Sequence, residues 1–574
     1  MEKVWLKQYP EGIPPEVNIN EYSSLKEILE KSCARFSDLP AYGNMGVSIS
    51  YRELDRASTA FGAYLQKVLG LQRGERVAIM LPNLLQYPVA LFGALRAGLT
   101  VVNTNPQYTP RELEHQLKDS GTTAIVVLEN FATTLQQVLG RTQVRHVITT
   151  QVGDMFPAFK AFLTNLVVKH VKKMVPEWHI ANTTPFMSAL RIGREKTLAD
   201  VALGHDDIAF LQYTGGTTGV AKGAMLTHGN MVANLEQVAA WIARDLQDGK
   251  ETVIIPLPLY HVYALTSNLV FMRIGAHCVL ITNPRDLPAF VDTLKKTRFT
   301  AMIGVNTLYN ALLNAAGFAG IDTRGLKLTS AGGMAVQRSV AERWKQATGS
   351  PIVEGYGLTE TAPVAISNAL NIKDWTGTIG LPIPSTEAAV LDEEGNMLPP
   401  GQMGEICIRG PQVMKGYWQQ ADETQKVFTK DGWFRTGDMG IMDEKGYFKI
   451  TDRKKDMIIV SGFKVFPNEI EDVVTMHPGV MEVAAIGVHD EKSGEVVKIV
   501  VVKKDPALTE ADLLAHCKQH LTGYKVPKFI EFRTEPLPKT NIGKILRRML
   551  RDQSAANPPS AQVGRQDSKE KVTA

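Results

Sequence analysis

Short apolar runs of strand length recur between longer stretches of helical period along most of this chain, and that alternation predicts layered α/β structure. The runs at 76–81, 123–128, 144–149, 253–258 and 277–281 are of this kind. Between them lie helical patterns with readable starts. Thr109-Pro110 ahead of residues 111–118 offers a threonine N-cap and a proline at the first helical position. With 574 residues the chain exceeds the ~250–300 residues at which one hydrophobic core stops growing. Beyond about Trp375 the character changes to short β runs separated by Gly, Pro and Asp, at 388–391, 404–409, 439–442 and 447–450. A charged turn, Asp452-Arg-Lys-Lys-Asp456, then leads into a compact β/α pattern. The expectation is a large N-terminal domain over 1–454, made of layered α/β subdomains plus a β-rich subdomain. A small C-terminal α+β domain over 455–552 and a disordered, Ser-, Pro- and Gln-containing tail over 553–574 complete it.

Composition removes several classes. A net charge of +4 over this length is too small a bias to make nucleic acid the main partner. Cys33, Cys278, Cys407 and Cys517 lie far apart with no C-x-x-C spacing, which argues against a disulfide framework or a structural zinc site and points to a reducing cytoplasm. Residues 1–20 carry no apolar run of signal-peptide length, and no stretch reaches the ~20 apolar residues of a membrane span. Any membrane contact would be peripheral.

The strongest local signal is Tyr213-Thr-Gly-Gly-Thr-Thr-Gly-Val-Ala-Lys-Gly-Ala224, directly after the apolar residues 208–211. A strand feeding a loop is implied. Gly215, Gly216 and Gly219 let backbone amides approach phosphate oxygens, Thr214, Thr217 and Thr218 add hydroxyl donors, and Lys222 supplies a positive charge. The spacing is not that of a Walker A loop, because Lys222 is followed by Gly223 rather than Ser or Thr. A flexible glycine linker is the bland alternative, but linkers seldom combine this hydroxyl density with a lysine.

This loop closely resembles the phosphate loop of the adenylate-forming superfamily, which contains acyl-CoA synthetases, luciferases and peptide-synthetase adenylation domains. Further segments match in the family's order. Ser330-Ala-Gly-Gly-Met334, with Gly332 and Gly333, and Glu354-Gly-Tyr-Gly-Leu-Thr-Glu-Thr-Ala-Pro363 resemble the adenine-holding segments. The resemblance makes Tyr356 the stacking ring between Gly355 and Gly357, puts Thr359 near the α-phosphate and makes Glu360 the Mg²⁺ ligand. A hard cation on ATP does favour a carboxylate plus phosphate oxygens. Asp438, in Asp431-Gly-Trp-Phe-Arg-Thr-Gly-Asp438, matches the position that accepts from both ribose hydroxyls. Arg453 falls against ribose or phosphate, Lys455 at the hinge and Gly462 in the coenzyme A channel. Lys544, in Pro538-Lys-Thr-Asn-Ile-Gly-Lys-Ile-Leu-Arg-Arg548, matches the catalytic lysine that bridges the acyl carboxylate and the α-phosphate. The resemblance spans roughly residues 20–550. It implies a two-step reaction: adenylation of an acid by ATP, then transfer to coenzyme A after the small domain turns on its hinge.

The acid is the softer part of the reading. Pro256-Leu-Pro-Leu-Tyr-His-Val-Tyr-Ala-Leu-Thr266 resembles the family's aromatic motif, which places His261 beside the substrate carboxylate; a core histidine is the alternative. Amino-acid-activating relatives carry an aspartate there, whereas this chain has Tyr260-His261, so an uncharged tail is favoured. The chain as a whole resembles bacterial fatty acyl-CoA synthetases of the long-chain type, with a homodimer as one assembly open to it. A carrier-linked synthetase module, a luciferase-like oxygenase and a non-enzymatic nucleotide sensor are the other classes. No carrier attachment pattern follows Lys544, and a sensor would need neither Glu360 nor Lys544.

Residues 156–178 lie outside the shared motifs. At 100° per residue from Phe159, Asn165, Lys169, Lys172 and Lys173 share a sector, while Leu163, Leu166, Val167, Val168, Val171, Met174 and Val175 fill most of the rest. Lys160 and Phe162 fit that wheel badly. An anionic membrane surface could take such a face, and so could the helix's own domain.

Overall fold

The computed structural model describes residues 2–214, 221–490, 493–540 and 543–556. The chain divides into a large unit, Met1–Thr451 with Asn541–Lys544, and a small unit, Asp452–Thr540 with Ile545–Ala574. The division falls three residues ahead of the expected 454/455 boundary, because Asp452 is buried in the small unit's charge network rather than sitting on a solvated linker. The expected tail also starts later. Residues 553–556 belong to the helix Arg547–Ala556, and 557–574 lie outside the described residues.

Two extended sheets organise the large unit. One runs in the order Thr184–Pro185, His146–Thr150, Ala124–Leu128, Arg76–Met80, Thr100–Asn103, Ile208–Thr214, Lys222–Thr227, parallel except for the last pair. Its central strands are buried along their length, Val77 to Met80 and Ala124 to Leu128 being at most 2% exposed, as a parallel sheet covered on both faces requires. The other has a parallel middle: Ile352–Gly357, Leu328–Ala331, Ala301–Gly304, Thr252–Ile255, His277–Leu280, Pro40–Asn44. Antiparallel strands close both its edges, Val47–Ser50 on one side and Val364–Ser367 with Leu381–Pro382 on the other. Crossover helices start where their caps demand. Thr109 accepts from the Glu112 amide while Glu112 returns to the Thr109 amide, Pro110 opens the helix Pro110–Ser120, and Gly121 ends it at φ 60°.

The β-rich part is a sheet ordered Glu387–Leu391, Gly404–Arg409, Phe434–Met442, Phe448–Arg453. In the small unit, Phe463–Val465, Ile458–Val460, Gly494–Lys503 and Val480–Asp490 pair in that order, and Phe529–Arg533 joins Gly494–Lys503 in parallel. Helices Pro467–Thr475, Glu510–His520 and Arg547–Ala556 accompany them, as expected of an α+β domain. Val465, Ile470, Ile499, Val501 and Leu513 form its core. No helix among the described residues is long and apolar enough to cross a membrane.

Candidate active site

The site grows from the end of strand Ile208–Thr214. Its last residue, Thr214, pairs across the sheet with Lys222, so the two flanks of the glycine-rich loop are held side by side. Gly215, Gly216, Thr217, Thr218 and Gly219 lie outside the described residues. Lys222 forms an ion pair with Glu423, on helix Ala421–Val427, and its Nζ stands 5.2 Å from the centre of the Tyr417 ring. Bonding first to Lys222 and then to Lys426 brings the Glu423 carboxyl down to about 2. The Tyr417 hydroxyl in turn donates to Glu360 Oε1 at 2.8 Å. Burial and the Glu360 carboxylate push that phenol well up, so it stays a donor. Residues 414–418 are laid along the adjacent strand by backbone bonds: Met225 N to Gly416 O, 2.9 Å, and Trp418 N to Gly223 O, 2.8 Å. Sequence reasoning missed Tyr417 and Glu423. The cue available was an aromatic pair behind Gly416, followed by an acidic helix start.

Glu360 sits on the short turn Thr359–Thr361, buried at 8% exposure. That turn follows strand Ile352–Gly357, which carries Gly355, Tyr356 and Gly357. The Tyr356 hydroxyl donates to Asp438 Oδ2 at 2.7 Å, and both residues are buried. Gly332 and Gly333 lie just past strand Leu328–Ala331. A Cβ at Gly332 would come within 3.1 Å of the Gly355 carbonyl and 3.4 Å of the Tyr263 ring, while Gly333 has φ +78°. A side chain at either position would fill or distort this flat space.

His261 caps the helix Val262–Arg273, its Nδ1 accepting from the Tyr263 amide at 3.4 Å. Burial, and then the positive charge of Lys544, bring its imidazole down to about 4, so it is neutral near pH 7. The loop before it is set by two residues that sequence reasoning also missed. Asn83 donates to the carbonyls of Ile255 and Leu257 and accepts from the Leu259 amide, and Gln212 donates to the Tyr260 carbonyl at 2.6 Å. Lys544 belongs to the segment grouped with the large unit, where Thr307 donates to the Gly543 carbonyl at 3.1 Å. Gly543 has φ +83°, and a Cβ there would approach Thr307 Oγ1 to 2.5 Å.

Contacts join Lys222, Tyr417 and Glu360 into one group and Tyr356 with Asp438 into another, the two connected through the chain at 356–360, and Gly355, Gly332, Tyr263 and His261 adjoin one another as a further wall. No group of three His, Cys, Asp or Glu among the described residues is arranged to hold a metal. A divalent ion at Glu360 would be held by that single carboxylate and the oxygens of a bound polyphosphate, a set that suits Mg²⁺.

A family model described as "AMP-binding enzyme" matches residues 29–418, and its companion for the C-terminal domain matches 469–544. The chain belongs to the AMP-binding enzyme family. It is 57% identical over 555 residues to a long-chain-fatty-acid–CoA ligase of Escherichia coli O6:H1, covering 96% of this chain and 99% of that one. A protein of the same description from Haemophilus influenzae is 53% identical, over 97% of this chain and all of that one. Among solved structures, the anthranilate CoA ligase AuaEII with anthranoyl-AMP superposes with a TM-score of 0.82 at 25% identity, over 94% of this chain and 100% of that one. ATP-bound MatB from Rhodopseudomonas palustris superposes at 0.78 and 29%, over 92% and 99%.

The remaining expected site residues stand on the small unit. Arg453, half-buried, ends strand Phe448–Arg453, and Lys455, exposed, lies on the turn after it. Gly462 and Ser461 form the two-residue tip between Ile458–Val460 and Phe463–Val465, with φ of +84° and +49°, the left-handed pair that a tight hairpin requires. Space around Gly462 is open. The charged turn at 452–456 is tied into the small unit at both its ends. Asp452, 1% exposed, accepts from the amides of Arg453 and Asn468 at 2.7 and 2.8 Å. Arg547 stands 3.4 Å from Asp452, 3.7 Å from Asp456 and 2.7 Å from Glu471.

Proposed function

We infer that the protein is an AMP-forming long-chain fatty acid–CoA ligase. It activates the acid with ATP to an acyl-adenylate, releasing pyrophosphate, and then transfers the acyl group to coenzyme A with release of AMP. The observation that carries the chemistry is two contact groups joined through the chain at 356–360: Lys222, Tyr417 and the buried carboxylate of Glu360 beside the glycine-rich loop, and Tyr356 with the diol acceptor Asp438. That order follows the order of ATP itself. Asp438 accepts from the ribose hydroxyls, in exchange for its bond from Tyr356, and Tyr356 stacks on the base over Gly332 and Gly333. Thr214, Thr359 and Lys222 hold the phosphates, with Gly215, Gly216, Thr217, Thr218 and Gly219 as the loop between, and Arg453 serves the ribose or α-phosphate. Glu360 would hold Mg²⁺, which when bound neutralises the charge of the leaving pyrophosphate.

His261, neutral and at a helix start, suits a place beside the acid's carboxylate, since it adds no charge that an apolar tail would have to accompany. Lys544 brings the acid and the α-phosphate together. Two anions must meet there, and charge grows on the α-phosphate as the mixed anhydride forms, so a fixed cation lowers that barrier more than it aids binding. The coenzyme A thiolate then attacks the carbonyl carbon and AMP leaves with the bonding pair. In this reading Lys455 is the pivot between the two steps and Gly462 lines the pantetheine path, where a side chain would obstruct it.

The full-length likeness to long-chain ligases at 53–57% identity supports a long aliphatic acid over the aromatic acids of more distant relatives. A peripheral place on the cytoplasmic face of the membrane belongs to the same reading, because long-chain acids reside there. The test is a panel of fatty acids of increasing length, with anthranilate and benzoate as controls, supplied with ATP and coenzyme A while AMP and thioester are both quantified. Stoichiometric AMP and thioester, highest with long aliphatic chains, is the expected result. AMP without thioester, or preference for the aromatic acids, would overturn it.

A further inference from the structure

From 158 on, the segment expected either to pack on its own domain or to meet a membrane turns only Ala161 and Val168, both partly buried, against the core of its domain. Helix Ala158–Leu166 and the wider turn Val167–Val171 that continues it contain no buried residue. Phe159 is 77% exposed, Phe162 63%, Val171 67% and Met174 54%, with Leu163, Leu166 and Val167 also open. The arrangement is inside-out. Beside Ala161 and Val168 it is polar groups that face the protein: Asn165 accepts from the Gly153 amide at 2.8 Å and donates to Asp154 at 3.3 Å, and Lys160 donates to the Met45 carbonyl. Further along, Asn130 donates to the Met174 carbonyl at 3.0 Å and Thr133 to the Glu177 carbonyl at 3.4 Å. The helical wheel drawn from sequence fails beyond Leu166, because the wider turn changes the period and Lys173, at φ +50°, ends the helix. Phe162 and Lys160, misfits on that wheel, are explained by their places here, one on the open apolar side and the other tied to Met45.

The surface has a definite chemistry. Lys169, His170, Lys172 and Lys173 are exposed beside the apolar side chains, and no acidic residue stands between Asp154 and Glu177. Met45, 48% exposed at the tip of the hairpin Pro40–Asn44/Val47–Ser50, adjoins through Lys160. Apolar side chains left open next to unpaired-sign cationic ones match the boundary of an anionic bilayer, where the former enter the acyl region and the latter meet phosphates. A protein partner of matching shape would need acidic residues around an apolar groove. A bilayer needs nothing more than what this surface presents.

We propose that residues 158–174, with Met45 beside them, are the surface by which this protein docks on anionic lipid, lying in the headgroup boundary without crossing it. The choice of lipid as occupant rests on the long-chain acid reading, since a bilayer is where such a substrate is stored. Docking would put the large unit at the source of its substrate, and substrate would reach the site from the membrane rather than from bulk water.

The test uses the full chain, sedimented with vesicles of phosphatidylglycerol and phosphatidylethanolamine or of phosphatidylcholine alone. Two variants accompany it, F159S/F162S and K169E/K172E/K173E. Neither touches the active site, and neither removes a buried side chain, so thermal stability and activity on a soluble medium-chain acid should match the parent. The parent should bind the anionic vesicles, and the lysine variant should bind about 100-fold more weakly at low salt. The phenylalanine variant should lose binding to both vesicle types. A parent that stays in the supernatant, variants that bind as the parent does, or self-association abolished by F159S/F162S would each overturn the proposal. The last would make a second copy of the chain the occupant. Failure of the long-chain assay with vesicle binding intact would instead sink the substrate reading and leave the docking surface standing.

Discussion

Replacing Arg547 with methionine should cost the small unit far more than a typical surface change. The guanidinium is the shared partner of three carboxylates, 2.7 Å from Glu471, 3.4 Å from Asp452 and 3.7 Å from Asp456, and it also donates to Asn468 at 2.6 Å. Methionine matches the stem but removes the one cation that all three share, leaving Asp456 with Arg551 and Asp452 and Glu471 with backbone amide donors. Breaking a buried pair from one side costs about 3–5 kcal/mol. At ~1.4 kcal/mol per power of ten, amides of strands Val480–Asp490 and Gly494–Lys503 should lose two to four powers of ten of hydrogen-exchange protection. The loss should depend on pH in a definite sense. Burial raises the Asp452 carboxyl to about 6, against the pull of Arg547. Its folded-state value is thus above its unfolded one, so the stability it contributes is fully present below about pH 4 and is lost as pH rises through about 6. Without Arg547 the ionised form becomes costlier still, and the deficit of the variant should be greater at pH 8 than at pH 5. Asp456, held low by Arg547 and Arg551 against burial, works in the opposite sense but only below the ordinary carboxylate range. Exchange followed by mass spectrometry on peptides 480–503, corrected for intrinsic rates at both pH values, measures this. Protection reduced by less than tenfold, or reduced equally at pH 5 and pH 8, would refute the reasoning.

Lys544→Ala should lower acyl-adenylate formation by about 100-fold or more, while thioester formation from supplied acyl-adenylate and coenzyme A stays near the parent rate; separate assays of the two half-reactions decide it. Glu360→Ala should lose ATP-dependent activity and its saturable Mg²⁺ dependence, and an unchanged Mg²⁺ titration would remove Glu360 from the metal's surroundings. In Glu423→Gln, Lys222 is released from an ion pair that triphosphate must otherwise displace. The KM for ATP should fall, by about two- to fivefold because the pair is partly exposed, with kcat little changed. A higher KM would show that Glu423 positions Lys222 rather than competing for it.

What could be read from sequence was what is local. The strand that ends at Thr214, the cap at Thr109, the strand end that carries Tyr356 and the turn that carries Glu360 are each specified by neighbours within a dozen residues. The partners that complete the site are not local. Nothing near Glu423 announces Lys222, two hundred residues earlier in the chain, and Asn83 shows no sign of governing the loop before His261. Nothing near Asp452 and Asp456 shows that they are shielded from water, because Arg547, which makes their burial tolerable, comes about ninety residues later in the chain. In 156–178 the period was legible only as far as Leu166, and its direction was not, since amphipathicity says which side differs and not which side faces the protein.

The strand Pro40–Asn44 takes its place between Val47–Ser50 and His277–Leu280. One of those neighbours follows at once, while the other is synthesised about 230 residues later. At ~5–20 residues per second, the first hairpin leaves the ribosome on the order of ten to fifty seconds before its second edge exists. Tyr42 and Ala41, fully covered in the finished sheet, spend that time in a strand paired along one edge only. Nascent chains of this protein should therefore engage holding chaperones early, and truncations that stop before residue 277 should be captured by them however well the first half of the chain has folded.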